Sequence, residues 1–392
     1  MNREQPLLNA LLAATHLVVP DDVPALVQTF AERLHADTGT LYLSDSEQRQ
    51  LVPLPPPGGP DVEAVTITGT LAGRCFRSVT PVEMEGDGST TVWMPVVDGT
   101  ERLGVLQLVF AGKPADEDEM KAFAGLLAEI VMTKSAYGDF FELARRREPF
   151  TIAAELLWQL LPPLTFATHD LAIAASFVPT ACLGGDAFDY GVDATTAEIA
   201  IFDALGHDLD AGLLATTAVA GFRNGRRNGF SLERKAQHIG DAIAEHFDVS
   251  KFVTGILTDL DIASGRFSWC VAGHPAPLLL RGGRVVKHLD RGIGQPFGVG
   301  PASEVFTEQL ERGDRVLLYT DGVTEARDEA GQFFQLEKLV DLVSRTSEHD
   351  PPPETMRLLM HAIEEHNDGP MRDDATVVLI EWRGDAGRQL EV

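Results

Sequence analysis

Apolar residues recur at spacings of three and four through Val23, Leu26, Val27, Phe30 and Leu34, which predicts a helix with one core-facing side. A first apolar stretch from Leu7 to Val19 precedes it, and Pro20 with Asp21-Asp22 is expected to stop that element and cap the next. Thr40 to Leu43 and Gln50 to Leu54 read as strands, whereas Pro55 to Pro60 must be a loop because proline cannot feed a ladder. Val92 to Val97 and Leu103 to Phe110 flank Asp98-Gly99-Thr100-Glu101-Arg102, a hairpin with an Asp-Gly turn. Acidic residues Asp116 to Glu119 then open a helix that places Met120, Phe123, Leu126, Leu127, Ile130 and Val131 on an apolar face.

Beyond it, the segment from Phe140 to Pro163 holds Arg145-Arg146-Arg147, a break at Pro149, and a short helix ending at Leu160-Leu161-Pro162-Pro163. The three arginines read as a solvated face. A helix rich in Ala, Gly and Thr is expected over about Leu209 to Arg227, able to lie close against a sheet. Its closing Arg223, Arg226 and Arg227 suit the negative end of a helix dipole, the alternative being a landing site for a phosphoprotein. Four apolar runs follow, Phe252 to Leu260, Arg266 to Val271, Pro277 to Leu280 and Val285 to Leu289, with connections short enough to predict antiparallel neighbours. That excludes a Rossmann fold here, and the glycines of Gly292 to Gly298 miss the dinucleotide-loop spacing.

At 392 residues and 44% hydrophobic content the chain can bury more than one core, so two domains are expected. A formal charge of -27 argues against a nucleic-acid partner, since phosphate backbones are bound by basic surfaces. The three cysteines, Cys75, Cys182 and Cys270, fit neither a disulfide framework nor a zinc site, and the expectation is a reducing cytoplasm. Glu4 ahead of the first apolar stretch, and Asn9, Thr15 and His16 within it, argue against a signal peptide. No run is long enough to span a membrane, so no membrane partner is expected.

The candidate chemistry lies in four acidic motifs. They are Leu183-Gly-Gly-Asp186-Ala-Phe-Asp189-Tyr190, Asp203-Ala204-Leu205-Gly206-His207-Asp208, Tyr319-Thr320-Asp321-Gly322-Val323-Thr324-Glu325-Ala326-Arg327, and Arg372-Asp373-Asp374-Ala375-Thr376. Acidic residues at strand ends can converge, and crowded carboxylates repel unless a cation neutralises them. Hard oxygen ligands select Mg²⁺ or Mn²⁺ over Zn²⁺. In this order, with Ala272-Gly-His274-Pro-Ala-Pro-Leu278 and Gly294-Gln-Pro-Phe-Gly-Val299 between them, the motifs resemble the SpoIIE-type branch of the PPM metal-dependent serine/threonine phosphatases.

That resemblance implies two ions, Mn²⁺ or Mg²⁺, with Asp203 bridging both and the Ala204 carbonyl completing one. It also implies Asp321 and Asp373 on the second ion, and Asp186 bound directly or through water. Asp374 would orient Asp373 or its waters, Glu325 and Arg327 would act likewise, and Asp189 would serve structure. Asp208 stands where the family usually has glycine, which would strain the following turn if the position needs a positive φ. His274 is read as a loop-structuring hydrogen bonder and His207 as a neighbour of the metals.

The expected fold class is α+β. Residues 1–140 resemble a GAF domain, 141–165 are expected to form a helical linker, and for 166–384 the phosphatase resemblance implies an antiparallel β-sandwich flanked by helices. The implied activity is hydrolysis of phosphoserine or phosphothreonine on a phosphorylated protein, with an anti-sigma factor antagonist as the expected partner. An unidentified small-molecule or protein input to the GAF-like domain and a homodimer through that domain and linker complete the expectation. A pseudophosphatase that binds such a partner without turnover, and a hydrolase of small phosphate esters, are the competing readings.

Overall fold

The alternation seen from Thr38 to Phe110 folds into one antiparallel sheet. The computed structural model describes Thr15 and residues 18–384 except 57, 60, 61, 87, 179–183, 207, 303, 348, 349, 368–370 and 372. Most of the first apolar stretch, Cys182, Leu183, His207 and Arg372 therefore lie outside the described residues. The chain divides into two units, Met1–Glu148 and Pro149–Val392.

In the first unit, α1 (Val23–Arg33) precedes β1 (Thr38–Ser44), β2 (Gln50–Leu54) and β3 (Val65–Thr66). Then come α2 (Leu71–Ser78), β4 (Val82–Gly86), β5 (Ser89–Asp98), β6 (Glu101–Phe110), α3 (Glu117–Ser135) and α4 (Phe140–Arg145). Strand order is β3-β2-β1-β6-β5-β4. Val27 and Phe30 of α1, Phe123 and Leu127 of α3, and Phe141 of α4 share a core with Leu41, Leu43, Leu106 and Leu108 on one face of the sheet. On the other face, Cys75 and Phe76 of α2 pack with Tyr42, Trp93 and Val105.

Burying Phe141 contributes about 2–3 kcal/mol, which ties the start of the expected linker to this unit. The arginines that follow are not a solvated face. Arg145 Nε donates to the Ser44 carbonyl at 3.0 Å, and Arg147 Nε reaches 2.9 Å from the buried Asp45 carboxylate. Asp45 also accepts the backbone N–H groups of Arg49 and Gln50, so its charge needs a cation beside it, and the β1–β2 turn recruits one.

The second unit begins with α5 (Ile152–Leu160), β7 (Thr165–Ala167), β8 (Leu171–Val178), β9 (Asp186–Val192), β10 (Thr196–Ala204), α6 (Leu209–Arg227) and α7 (Leu232–His246). It continues with β11 (Val253–Asp261), β12 (Arg266–Ala272), β13 (Leu278–Arg281), β14 (Arg284–His288), β15 (Ile293–Gly294), β16 (Phe306–Gln309) and β17 (Arg315–Tyr319). The last elements are α8 (Asp321–Glu325), α9 (Gln335–Ser347), α10 (Pro352–His366) and β18 (Ala375–Trp382).

One sheet runs β15-β12-β11-β10-β9 with β16 also on β12, and the other runs β14-β13-β17-β18-β8-β7. Ile199, Ile201 and Ile256 of the first sheet meet Val316, Leu318, Val378 and Ile380 of the second in a shared core. The intervening residues face outward. Ala200 and Phe202 pack beneath α6 and α7, while Leu317 and Val377 pack beneath α9 and α10. This is the α+β sandwich that the sequence predicts.

One connection departs from expectation. β12 and β13 are not antiparallel neighbours: residues 273–277 carry the chain from one sheet to the other. Five extended residues span roughly 17 Å, more than the ~10 Å between packed sheets, so a short connection can turn a corner as well as a hairpin. Short spacing alone cannot tell the two apart.

Candidate active site

Period-two alternation decides what gathers at one end of the sandwich. On β10, Ile199 and Ile201 point inward, and Asp203 continues that face. On β9, Asp186 shares the face of Phe188 and stands directly opposite Asp203 in the ladder. Thr254 of β11 pairs with Asp203 from the other side. From the second sheet, Thr320 follows β17 on the parity of Val316 and Leu318, and Asp374 and Thr376 have the parity of Val378 and Ile380. The apolar core thus ends in a layer of Asp and Thr.

The layer is braced by hydrogen bonds. Asp186, only 2% exposed, accepts from Thr320 Oγ1 at 2.7 Å. Thr320 Oγ1 in turn accepts the Thr376 N–H at 3.0 Å. Asp374 Oδ2 accepts the N–H groups of Gly185 at 2.7 Å and Asp186 at 3.2 Å. Asp374 therefore fixes the start of β9 and, through it, Asp186. Its own N–H donates to Asp373 Oδ1 at 3.0 Å, so it orients Asp373 as well.

Two glycines allow the approach. A Cβ on Gly322 would fall 2.0 Å from the Asp374 carbonyl oxygen, so the pair Asp321-Gly322 is a close packing of α8 on the segment before β18. A Cβ on Gly185 would meet the Ala204 carbonyl oxygen at 2.8 Å and that of Gly206 at 3.0 Å. The first and second acidic motifs meet there, and the Ala204 N–H donates to the Gly185 carbonyl at 3.0 Å.

Burial, then the charges of Asp321, Asp373 and Asp374, push the Asp203 carboxyl up to about 8. Asp186 is raised well above the usual carboxylate range by burial, then by Asp203 and Asp374. Burial raises Asp321. Carboxylates held this way favour protons or cations. Among the described residues no three acidic, histidine or cysteine side chains close into a coordination shell by themselves. An all-oxygen set that leaves places for water suits Mg²⁺, which keeps several of its waters. The donor chemistry fits a hard divalent ion.

Other residues fall outside this layer. Asp189 has the opposite parity and sits 1% exposed beneath α6, where Arg223 Nη2 reaches it at 2.7 Å and Arg226 at 3.3 Å. Arg223 and Arg226 are thus neither a plain dipole complement nor a free landing site, while Arg227 is exposed. Asp208 takes φ -108, an extended conformation, and its carboxylate caps α6 by accepting the Ala211 N–H at 3.2 Å. The strain foreseen at that position is absent because an N-cap needs no positive φ. Arg327 lies over the Phe333 ring at 4.5 Å. Thr254, Thr320 and Thr376 were not legible as site residues, although counting parity back from the apolar strand positions would have found them.

A family model, described as stage II sporulation protein E (SpoIIE), matches residues 193–383. Over these residues the chain is similar to a SpoIIE-type phosphatase domain. The chain is 25% identical over 237 residues to the phosphoserine phosphatase RsbU of Bacillus subtilis, covering 58% of this chain and 68% of RsbU. It is 29% identical over 139 residues to protein IcfG of Synechocystis, covering 35% of this chain but only 22% of IcfG. The chain thus spans about a fifth of one curated relative and about two thirds of the other. The SiaA-PP2C domain of Pseudomonas aeruginosa shares the fold, with a TM-score of 0.52 at 20% identity, over 59% of this chain and 94% of that domain. The SpoIIE match begins at residue 193, after Asp186, and contains Asp203, Asp321, Asp373 and Asp374.

Proposed function

We propose that residues 166–384 form a Mn²⁺- or Mg²⁺-dependent protein phosphatase acting on phosphoserine or phosphothreonine, with a phosphorylated anti-sigma factor antagonist as substrate. The observation carrying this reading is the facing pair Asp186 and Asp203, braced by Thr320 and Asp374 within a SpoIIE-type domain. Asp186, Asp203, Asp321, Asp373 and the Ala204 carbonyl would hold two ions. When bound, such ions activate water and neutralise phosphoryl oxygens. Asp374 and Thr320 keep the Asp186 carboxylate in place, and Gly322 lets Asp321 approach the Asp373-Asp374 backbone. In the reaction a water oxygen bonds to phosphorus, the ester oxygen–phosphorus bond breaks, and the seryl oxygen leaves as the hydroxyl.

The test is phosphate release by the full chain from purified phosphorylated anti-sigma factor antagonists. Release is expected with Mn²⁺ or Mg²⁺ and not in excess chelator. Partner binding without release under either condition would establish a pseudophosphatase instead. Release from small phosphate esters but from no phosphoprotein would favour the third reading.

The first unit is read as a GAF-like sensory domain and the protein as a cytoplasmic homodimer. Among the described residues no helix is long and apolar enough to cross a membrane. Leu143 is 71% exposed and Ile152 76% exposed, apolar surface that a partner copy would cover. Sedimentation of the full chain should give a dimer that Leu156→Glu weakens, and a concentration-independent monomer would refute it.

A further inference from the structure

The corner at residues 273–277 brings His274 under the site. Its ring is 2% exposed. Nε2 lies 3.1 Å from the Tyr319 carbonyl oxygen and Nδ1 lies 2.8 Å from Thr254 Oγ1. A carbonyl can only accept, so Nε2 carries the hydrogen. Burial holds the imidazole down to about 3, so it is neutral, and its bare Nδ1 must accept from the Thr254 hydroxyl. Thr254 has one proton to give. Asp203 Oδ2, 3.4 Å from the same hydroxyl, is beyond the usual O–H···O range and receives no full hydrogen bond from it.

Each partner sits beside a metal-ligand candidate on a different sheet. Thr254 pairs with Asp203 in the first sheet, and Tyr319 ends β17 two residues before Asp321 in the second. We propose that His274 is a positioning residue whose imidazole clasps the two sheets, setting the gap between Asp203 and Asp321 and turning the Thr254 proton away from Asp203. The carboxylate then meets the cation without a competing donor. This role rests on the metal-dependent reading of the same site and adds to it a residue that touches neither ion nor substrate.

The test is Mn²⁺ affinity of the full chain by calorimetry, read beside turnover and thermal stability, for His274→Ala, Thr254→Val and Thr254→Ser. Outer-shell partners of this kind carry about 10- to 100-fold in metal affinity. His274→Ala and Thr254→Val should therefore weaken Mn²⁺ binding by at least about tenfold, leaving the phosphoprotein KM at saturating Mn²⁺ unchanged. Thr254→Ser, which keeps the hydroxyl, should restore binding to within about threefold of wild type. If His274→Ala fails to fold, the Val and Ser variants decide, since they differ by the donor. Folded variants with wild-type Mn²⁺ affinity, or a Ser variant as weak as Val, would overturn the proposal. A wild-type chain that binds Mn²⁺ but releases no phosphate would refute the phosphatase reading alone, because the ratio of affinities still decides the role of His274.

Discussion

Asp186 and Asp203 oppose one another across the β9–β10 ladder, where their neighbours on the same face, Phe188 and Ile201, are apolar. Like charges directly opposite in a sheet destabilise it. The site therefore strains the fold that carries it.

Neutralising either partner should separate activity from stability. Asp203→Asn or Asp186→Asn is expected to lower phosphate release by more than about 100-fold, above the loss typical of outer-shell changes. Without metal, the same variants should melt a few degrees higher, since about 1 kcal/mol shifts a domain of this size by roughly 2–4 °C. Calorimetric melts in chelator check this. A drop in melting temperature for both would show that the pair is not repulsive.

Acidity follows from the raised carboxyl of Asp203, about 8 in the fold against a reference of 3.8. Between those values the folded chain holds a proton that the unfolded chain releases, so this group's contribution falls as pH rises from about 4 to about 8. The metal-free wild type should lose stability relative to Asp203→Asn over that window. Protons and cations compete for the same oxygens, so Mn²⁺ affinity should rise between pH 6 and 8, by up to about tenfold per unit for each proton displaced. A flat titration series would remove Asp203 from the metal set.

Arg223 links the end of α5 to α6 as well as holding Asp189, because its Nη2 also donates to the Leu160 carbonyl at 2.6 Å. Arg223→Ala should cost about 3 kcal/mol, the scale for stranding a buried charge, softened by the remaining Arg226. Arg223→Lys should recover only part of this, since an ammonium cannot reproduce the planar fork. Urea melts of the second unit read both. An Arg223→Ala loss below about 0.5 kcal/mol would mean that the contact is ornamental.

The carboxylates were legible because four Asp-bearing motifs stand in one order beside apolar runs, whereas a single Asp at a strand end is an ordinary turn residue, as Asp193 and Asp261 are here. The threonines were not, since Thr is an ordinary strand former and Thr254, Thr320 and Thr376 differ from their neighbours only in which way they point. Asp208 was misjudged because a family glycine implied a backbone requirement, whereas the chain uses the position as a cap. Arg145 and Arg147 looked idle because their partners, the Ser44 carbonyl and the Asp45 carboxylate, are about a hundred residues away in sequence. Folded geometry alone shows such partners.

The parity that fills the sandwich interior also aims its acids. A strand slipped by one residue would turn Val378 and Ile380 out to the helices and, in the same stroke, swing Asp374 away from Asp186. Loss of packing and loss of catalysis would then be a single event. A misassembled copy would be mute rather than misdirected, a useful trait in the phosphatase proposed above.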